Sequence, residues 1–92
     1  MIVFMSRELE KLREKIDSAD RELLEVLSKR MRLVEAIGEL KRAEGLEIED
    51  KARWDDLLHK RVSWAGGLHL SSELIRDIFE LIHKAAIVLE KK

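Results

Sequence analysis

The chain has 92 residues, of which 46% are hydrophobic and 40% charged, with four glycines, no proline and no cysteine. This composition is typical of one all-helical domain, and the lack of cysteine excludes disulfides, thiolate nucleophiles and cysteine-bound metals. A formal net charge of −1 gives no support to a role in binding nucleic acid or a membrane surface.

Residues 1–5 form a short apolar segment, which we treat as an N-terminal extension of a helical domain spanning residues 6–92. The segment is too short for a signal peptide or a membrane span, so we expect a cytoplasmic protein by default. Two interpretations stay open. Either Met5 is the true start of the protein, or the segment packs on a neighbouring molecule.

The first predicted helix begins with Ser6 as its N-cap and ends near Ala43, with Gly45 as the stop. Its apolar residues recur at helical spacing, and Arg30 and Lys41 project within the same apolar arc. A buried charge costs several kcal/mol unless it is paired. The two side chains therefore either extend along the apolar surface to water, or find a counter-charge on another helix or an anionic ligand.

Two shorter helices are predicted after this one. The second spans residues 49–65 and stops at Gly66 and Gly67, and the third begins with Ser71 or Ser72 as its N-cap and continues to about Lys91. The first helix would be roughly 55 Å long, whereas a compact chain of this size is about 25–30 Å across. We therefore expect a second copy of the chain to cover the overhanging apolar stripe. A plain coiled coil is disfavoured by the helix breaks after residue 43.

The other polar residues have ordinary structural interpretations. Arg13 is typical of a surface arginine, Asp50 and Arg53 of an i,i+3 ion pair, and Glu90 of a solvated residue at a helix end. Several inward-facing cations, without a nucleophile or a metal site, indicate a pocket that binds and orients a dianion.

The aromatic residues and histidines give weaker signals. Trp54 and Trp64 are interpreted as core or interface residues. No metal-ligand spacing is formed by His59, His69 and His83, and no metal is expected.

Four segments, in this order and spacing, resemble the all-helical class of chorismate mutases. They are LREKID at residues 12–17, KRM at residues 29–31, IGELK at residues 37–41 and DKARW at residues 50–54. The resemblance covers about residues 9–90. It implies an intertwined dimer of three-helix chains that catalyses the Claisen rearrangement of chorismate to prephenate, on the route to phenylalanine and tyrosine. It implies no cofactor.

The resemblance also implies roles for individual residues. Arg13 from the opposite subunit would clamp the enolpyruvyl carboxylate together with Lys41. Arg30 would hold the ring carboxylate, with Arg53 assisting.

At the reacting bond, Lys41 would donate to the ether oxygen, and Glu90 occupies the position where the family carries a Gln or Glu that does the same. Asp50 would help to bind the ring hydroxyl, largely through its backbone. The predicted catalytic residues are thus Arg30, Lys41 and Glu90. Changing Arg30 or Lys41 to Met should cost orders of magnitude in rate, while thermal stability holds or rises.

Three positions depart from the family pattern. Trp54 replaces the usual Glu, Ala86 replaces a common Ser near the ring carboxylate, and Glu90 is the less common choice at its position. By their positions, Trp54 and Ala86 are still counted among the predicted substrate-binding residues. Isochorismate pyruvate-lyases of the same fold also lack that Glu, so a lyase is an alternative. A non-catalytic dimerisation domain is a second alternative, which the retained basic residues disfavour.

Overall fold

A computed structural model describes residues 2–92, with side chains described from Ser6 onward. It consists of three α-helices: α1 (Ile2–Glu44), α2 (Lys51–Gly66) and α3 (Ser72–Lys91). The described part of the chain contains no strand. The prediction of three helices with a very long first helix is confirmed.

The start of α1 corrects one prediction. The helix begins at Ile2, so Ser6 lies inside it and is not an N-cap. The residues before Ser6 include no glycine or proline, so nothing in the sequence stops the helix from extending past a weak cap signal. The side chains of residues 1–5 lie outside the described residues. Both the choice between Met1 and Met5 as the start and the suggested packing of this segment therefore stay predictions.

The chain divides into two compact units, one up to Arg32 and the other Leu33–Lys92. The described part of the first unit is entirely helical, and every side chain from Ser6 to Val26 is exposed. These include the large apolar side chains of Leu12 and Leu23, which are 57% and 65% exposed. The first unit therefore carries an apolar stripe on its surface.

The second unit begins with the last turns of α1, which end in a two-bond cap at Gly45. The Gly45 N–H donates to the Arg42 carbonyl, and the Leu46 N–H donates to the Lys41 carbonyl at 2.8 Å. Gly45 has a φ of 68°, a left-handed conformation that glycine adopts without steric cost. The predicted stop at this glycine is confirmed, with the helix one residue longer than expected.

Helices α2 and α3 pack against each other in this unit. The buried apolar side chains of the unit are Val34, Leu57, Ala65, Ile75 and Ala86. Ser71 caps α3 by accepting from the Leu74 N–H at 3.1 Å, which selects one of the two predicted caps. None of the described helices is long and apolar enough to span a membrane.

Candidate active site

Lys41 is held between two oxygen acceptors in the second unit. Its ammonium donates to the Ile48 carbonyl at 2.6 Å and lies 2.8 Å from Glu90 Oε1. The Lys41 side chain is only 21% exposed. Of the alternatives open from the sequence, the counter-charge of Lys41 is therefore a carboxylate on another helix.

Glu90 is buried near the C-terminal end of α3, with 8% of its surface exposed. The Arg42 guanidinium donates to its backbone carbonyl at 2.5 Å. Gly38 lies directly opposite, so close that a Cβ on Gly38 would stand 2.9 Å from the Glu90 Cα. The interpretation of Glu90 as a solvated helix-end residue is wrong, because α1 approaches α3 at this point and covers its last turn.

Asp50 is the N-cap of α2 and accepts from the Arg53 backbone N–H at 3.0 Å. The helix consequently starts at Lys51, two residues later than predicted. Asp50 and Arg53 thus interact through a hydrogen bond from the Arg53 backbone to the Asp50 side chain, and not through the ion pair expected from their spacing. The Arg53 guanidinium points to Asp56, at 3.9 Å, and is 56% exposed. An ion pair this exposed contributes little stability.

Trp54 is half-buried and stacks on His83 of α3, with ring centroids 4.1 Å apart and an interplanar angle of 16°. The pair forms a wall of a hollow of about 250 Å³, which is also lined by Glu49, Asp50 and Lys51. The same three residues line a second hollow of about 420 Å³ that reaches Lys41. The second unit therefore brings Lys41, Asp50 and Trp54 together around adjoining hollows, with Glu90 bound to Lys41.

Ala86 is buried on α3, 7% exposed, one turn before Glu90. His83 precedes it by a further turn on the same helical face. His83 is not among the site residues predicted from the sequence. Its spacing of three residues to Ala86 and seven to Glu90 was the signal that could have found it.

Arg13 and Arg30 belong to the first unit. Arg13 is exposed, and Arg30 is half-buried. Their roles toward a substrate stay predictions.

Trp64 lines neither of the two hollows and is 59% exposed, so it is not a core residue. The Arg61 guanidinium stands 4.8 Å from the centre of its ring. Partial burial, and to a smaller extent the nearby Arg53, lowers the pKa of Arg61, while Asp56 opposes the shift.

Among the described residues, no group of three or more potential ligands could hold a metal ion.

The chain is similar to known proteins in sequence and in fold. The chain is 36% identical over 86 residues to the T-protein of Enterobacter agglomerans and 39% identical over 70 residues to the T-protein of Haemophilus influenzae. These matches cover 94% and 76% of the chain, which itself spans only 23% and 19% of the length of the two relatives.

A solved structure, that of chorismate mutase (form II) from Thermus thermophilus, is similar with a TM-score of 0.86 and 35% identity. The match covers 92% of this chain and 96% of the solved chain. The family model for chorismate mutase type II matches residues 12–91. On this evidence the chain belongs to the type II chorismate mutase family.

Proposed function

We propose that this chain catalyses the rearrangement of chorismate to prephenate. The observation that carries the proposal is the Lys41–Glu90 ion pair at 2.8 Å, beside the hollows lined by Asp50 and Trp54. The two side chains are only 21% and 11% exposed, in a chain of the chorismate mutase type II family.

The reaction needs geometry and charge rather than a nucleophile. The ether C–O bond of the substrate breaks while a C–C bond forms between its side chain and its ring, and negative charge develops on the ether oxygen. Lys41 donates to that oxygen and stabilises the charge as it grows. Basic side chains hold the two carboxylates so that the reacting carbons stay close.

Glu90 contributes the second donor to the ether oxygen when it is protonated, because only a carboxylic acid has an O–H to donate. Arg30 and Arg53 hold the ring carboxylate, and Asp50 faces the ring hydroxyl. In this assignment Arg42 and Gly38 do not contact substrate but fix the place of Glu90.

The proposed active molecule is a homodimer. The apolar stripe on the first unit is exposed in the single chain, as Leu12 and Leu23 show. Exposed large apolar side chains at helical spacing favour coverage by another helix, and a second copy supplies one. Arg13 would then reach the site of the partner subunit.

Product analysis tests the proposed activity. Purified chain should consume chorismate and yield prephenate, measured by the acid conversion of prephenate to phenylpyruvate. Trp54, which replaces the usual family Glu, favours the lyase as a second candidate. Pyruvate from isochorismate with negligible prephenate from chorismate would establish that candidate. Turnover of neither compound would leave a non-catalytic dimerisation domain.

A further inference from the structure

The stacked pair of Trp54 and His83 leaves part of the imidazole available to a ligand. The two rings lie 4.1 Å apart and nearly parallel, so the indole covers one face of His83. Both ring nitrogens of an imidazole lie on its edge, where one donates and the other accepts a hydrogen bond. The stack therefore fixes the plane of His83 without using its polar atoms.

His83 belongs to the wall of the hollow of about 250 Å³. Asp50, which lines the same hollow, also lines the neighbouring hollow that contains Lys41. The hollow of His83 therefore adjoins the hollow of Lys41.

The charges decide which end of the substrate suits His83. Glu49 and Asp50 both line this hollow, beside Lys51. Two carboxylates in the wall repel the carboxylates of a dianionic substrate, so neither substrate carboxylate suits this hollow. A neutral polar group of the substrate fits the hollow better.

We propose that His83 is a specificity-determining residue, whose imidazole edge hydrogen-bonds the hydroxyl group on the substrate ring. Trp54 is then the positioning residue that holds the imidazole in place. This inference rests on the proposed function, because it takes chorismate as the substrate. In this proposal α3 supplies the polar contact to the ring hydroxyl, because Trp54 of α2 offers only the face of an indole.

The test compares chorismate with its analogue that lacks the ring hydroxyl. His83→Phe keeps a flat ring against Trp54 but removes both nitrogens. We expect it to lower kcat/KM for chorismate about tenfold, since one hydrogen bond is lost, and to leave kcat/KM for the analogue within about twofold. His83→Gln, which retains a donor and an acceptor, should recover the preference for chorismate.

Two controls separate recognition from folding. His59→Phe changes an exposed histidine of α2 and should change kcat/KM for neither compound. Thermal unfolding checks that each variant is folded, and His83→Leu serves as a second variant without nitrogens. An equal loss for both compounds, or no loss for either, would overturn the role of His83 while the proposed function stands.

A wild-type chain that turns over neither compound would overturn the proposed function instead. In that case, calorimetric binding of chorismate and its analogue decides the inference. Weaker binding of chorismate alone by His83→Phe would support it, and unchanged binding of chorismate would reject it.

Discussion

At the scale of single residues, Lys41 and Glu90 depend on each other. Each occupies a place where an unpaired charge would be costly, because their side chains are only 21% and 11% exposed. From the sequence alone, replacing Lys41 is expected to leave thermal stability unchanged or raised. The ion pair changes this expectation, because removing Lys41 leaves a buried carboxylate without its partner.

We therefore expect Lys41→Met to lose both activity and stability. The rate should fall about 10²–10³-fold through the lost contact to the ether oxygen. The free energy of unfolding at neutral pH should fall by about 3 kcal/mol. Denaturant titration with Lys41→Met/Glu90→Gln is the control, since neutralising Glu90 should restore much of the stability but not the rate. Full activity in folded Lys41→Met would contradict the catalytic role.

Glu90 should make catalysis depend on pH. Its ion pair with Lys41 is made by the ionised carboxylate, which cannot donate to the ether oxygen and repels the charge that develops there. Activity should therefore fall as pH rises. Glu90→Gln donates at every pH, so its profile should be flatter and its activity at high pH should exceed that of the wild type. Superimposable pH–rate profiles of the two proteins would remove Glu90 from the site.

At the scale of helices, the close approach of α1 and α3 fixes the ion pair. A Cβ on Gly38 would lie 2.9 Å from the Cα and 3.3 Å from the carbonyl oxygen of Glu90, which are backbone atoms that move only with the whole helix. Glycine at this position thus permits the contact between the two helices, and Arg42 ties the same carbonyl to α1.

Gly38→Ala should consequently push α3 away from α1. We expect a loss of about 1–3 kcal/mol in the free energy of unfolding, together with a clear loss of activity. Gly66→Ala is a matched control, because a Cβ on this helical glycine meets no atom within 4 Å. It should be neutral or stabilise by up to about 1 kcal/mol. Thermal or denaturant unfolding measures both, and equal stability of the two variants would refute the steric role of Gly38.

At the scale of the whole molecule, the exposed stripe of the first unit leads to the proposed dimer. If Arg13 serves the site of the partner subunit, each site draws on two chains. A mixed dimer of an Arg13→Ala chain and an Arg30→Ala chain then carries one intact site and one doubly altered site.

We expect each variant alone to be nearly inactive, and an equal mixture, unfolded and refolded together, to recover up to about a quarter of the wild-type activity. Light scattering should give twice the chain mass for the wild type and for the mixture. Refolding either variant with itself is the control and should recover nothing. Mixed dimers of verified composition without activity would reject a shared site, and an active monomer would reject the dimer.

The sequence by itself determined the helical class, the family and most helix ends. Helical spacing of apolar residues, Gly45 and Ser71 act locally, so they can be recognised without knowing the neighbours in space. It failed at Ser6, where a cap residue lies inside a longer helix. It also marked Lys41 as a charge in an apolar face, which either reaches water or finds a counter-charge.

Only the tertiary structure decided what that partner is. Glu90 lies 49 residues beyond Lys41, and at a helix end its sequence context is that of a solvated residue. Its burial follows from the packing of α3 against the end of α1 at Gly38. The stack of His83 on Trp54 likewise joins two helices. The residues around each of them in the sequence do not predict that the two rings are in contact. Contacts between distant segments depend on how whole helices pack, which periodicity within one helix does not specify.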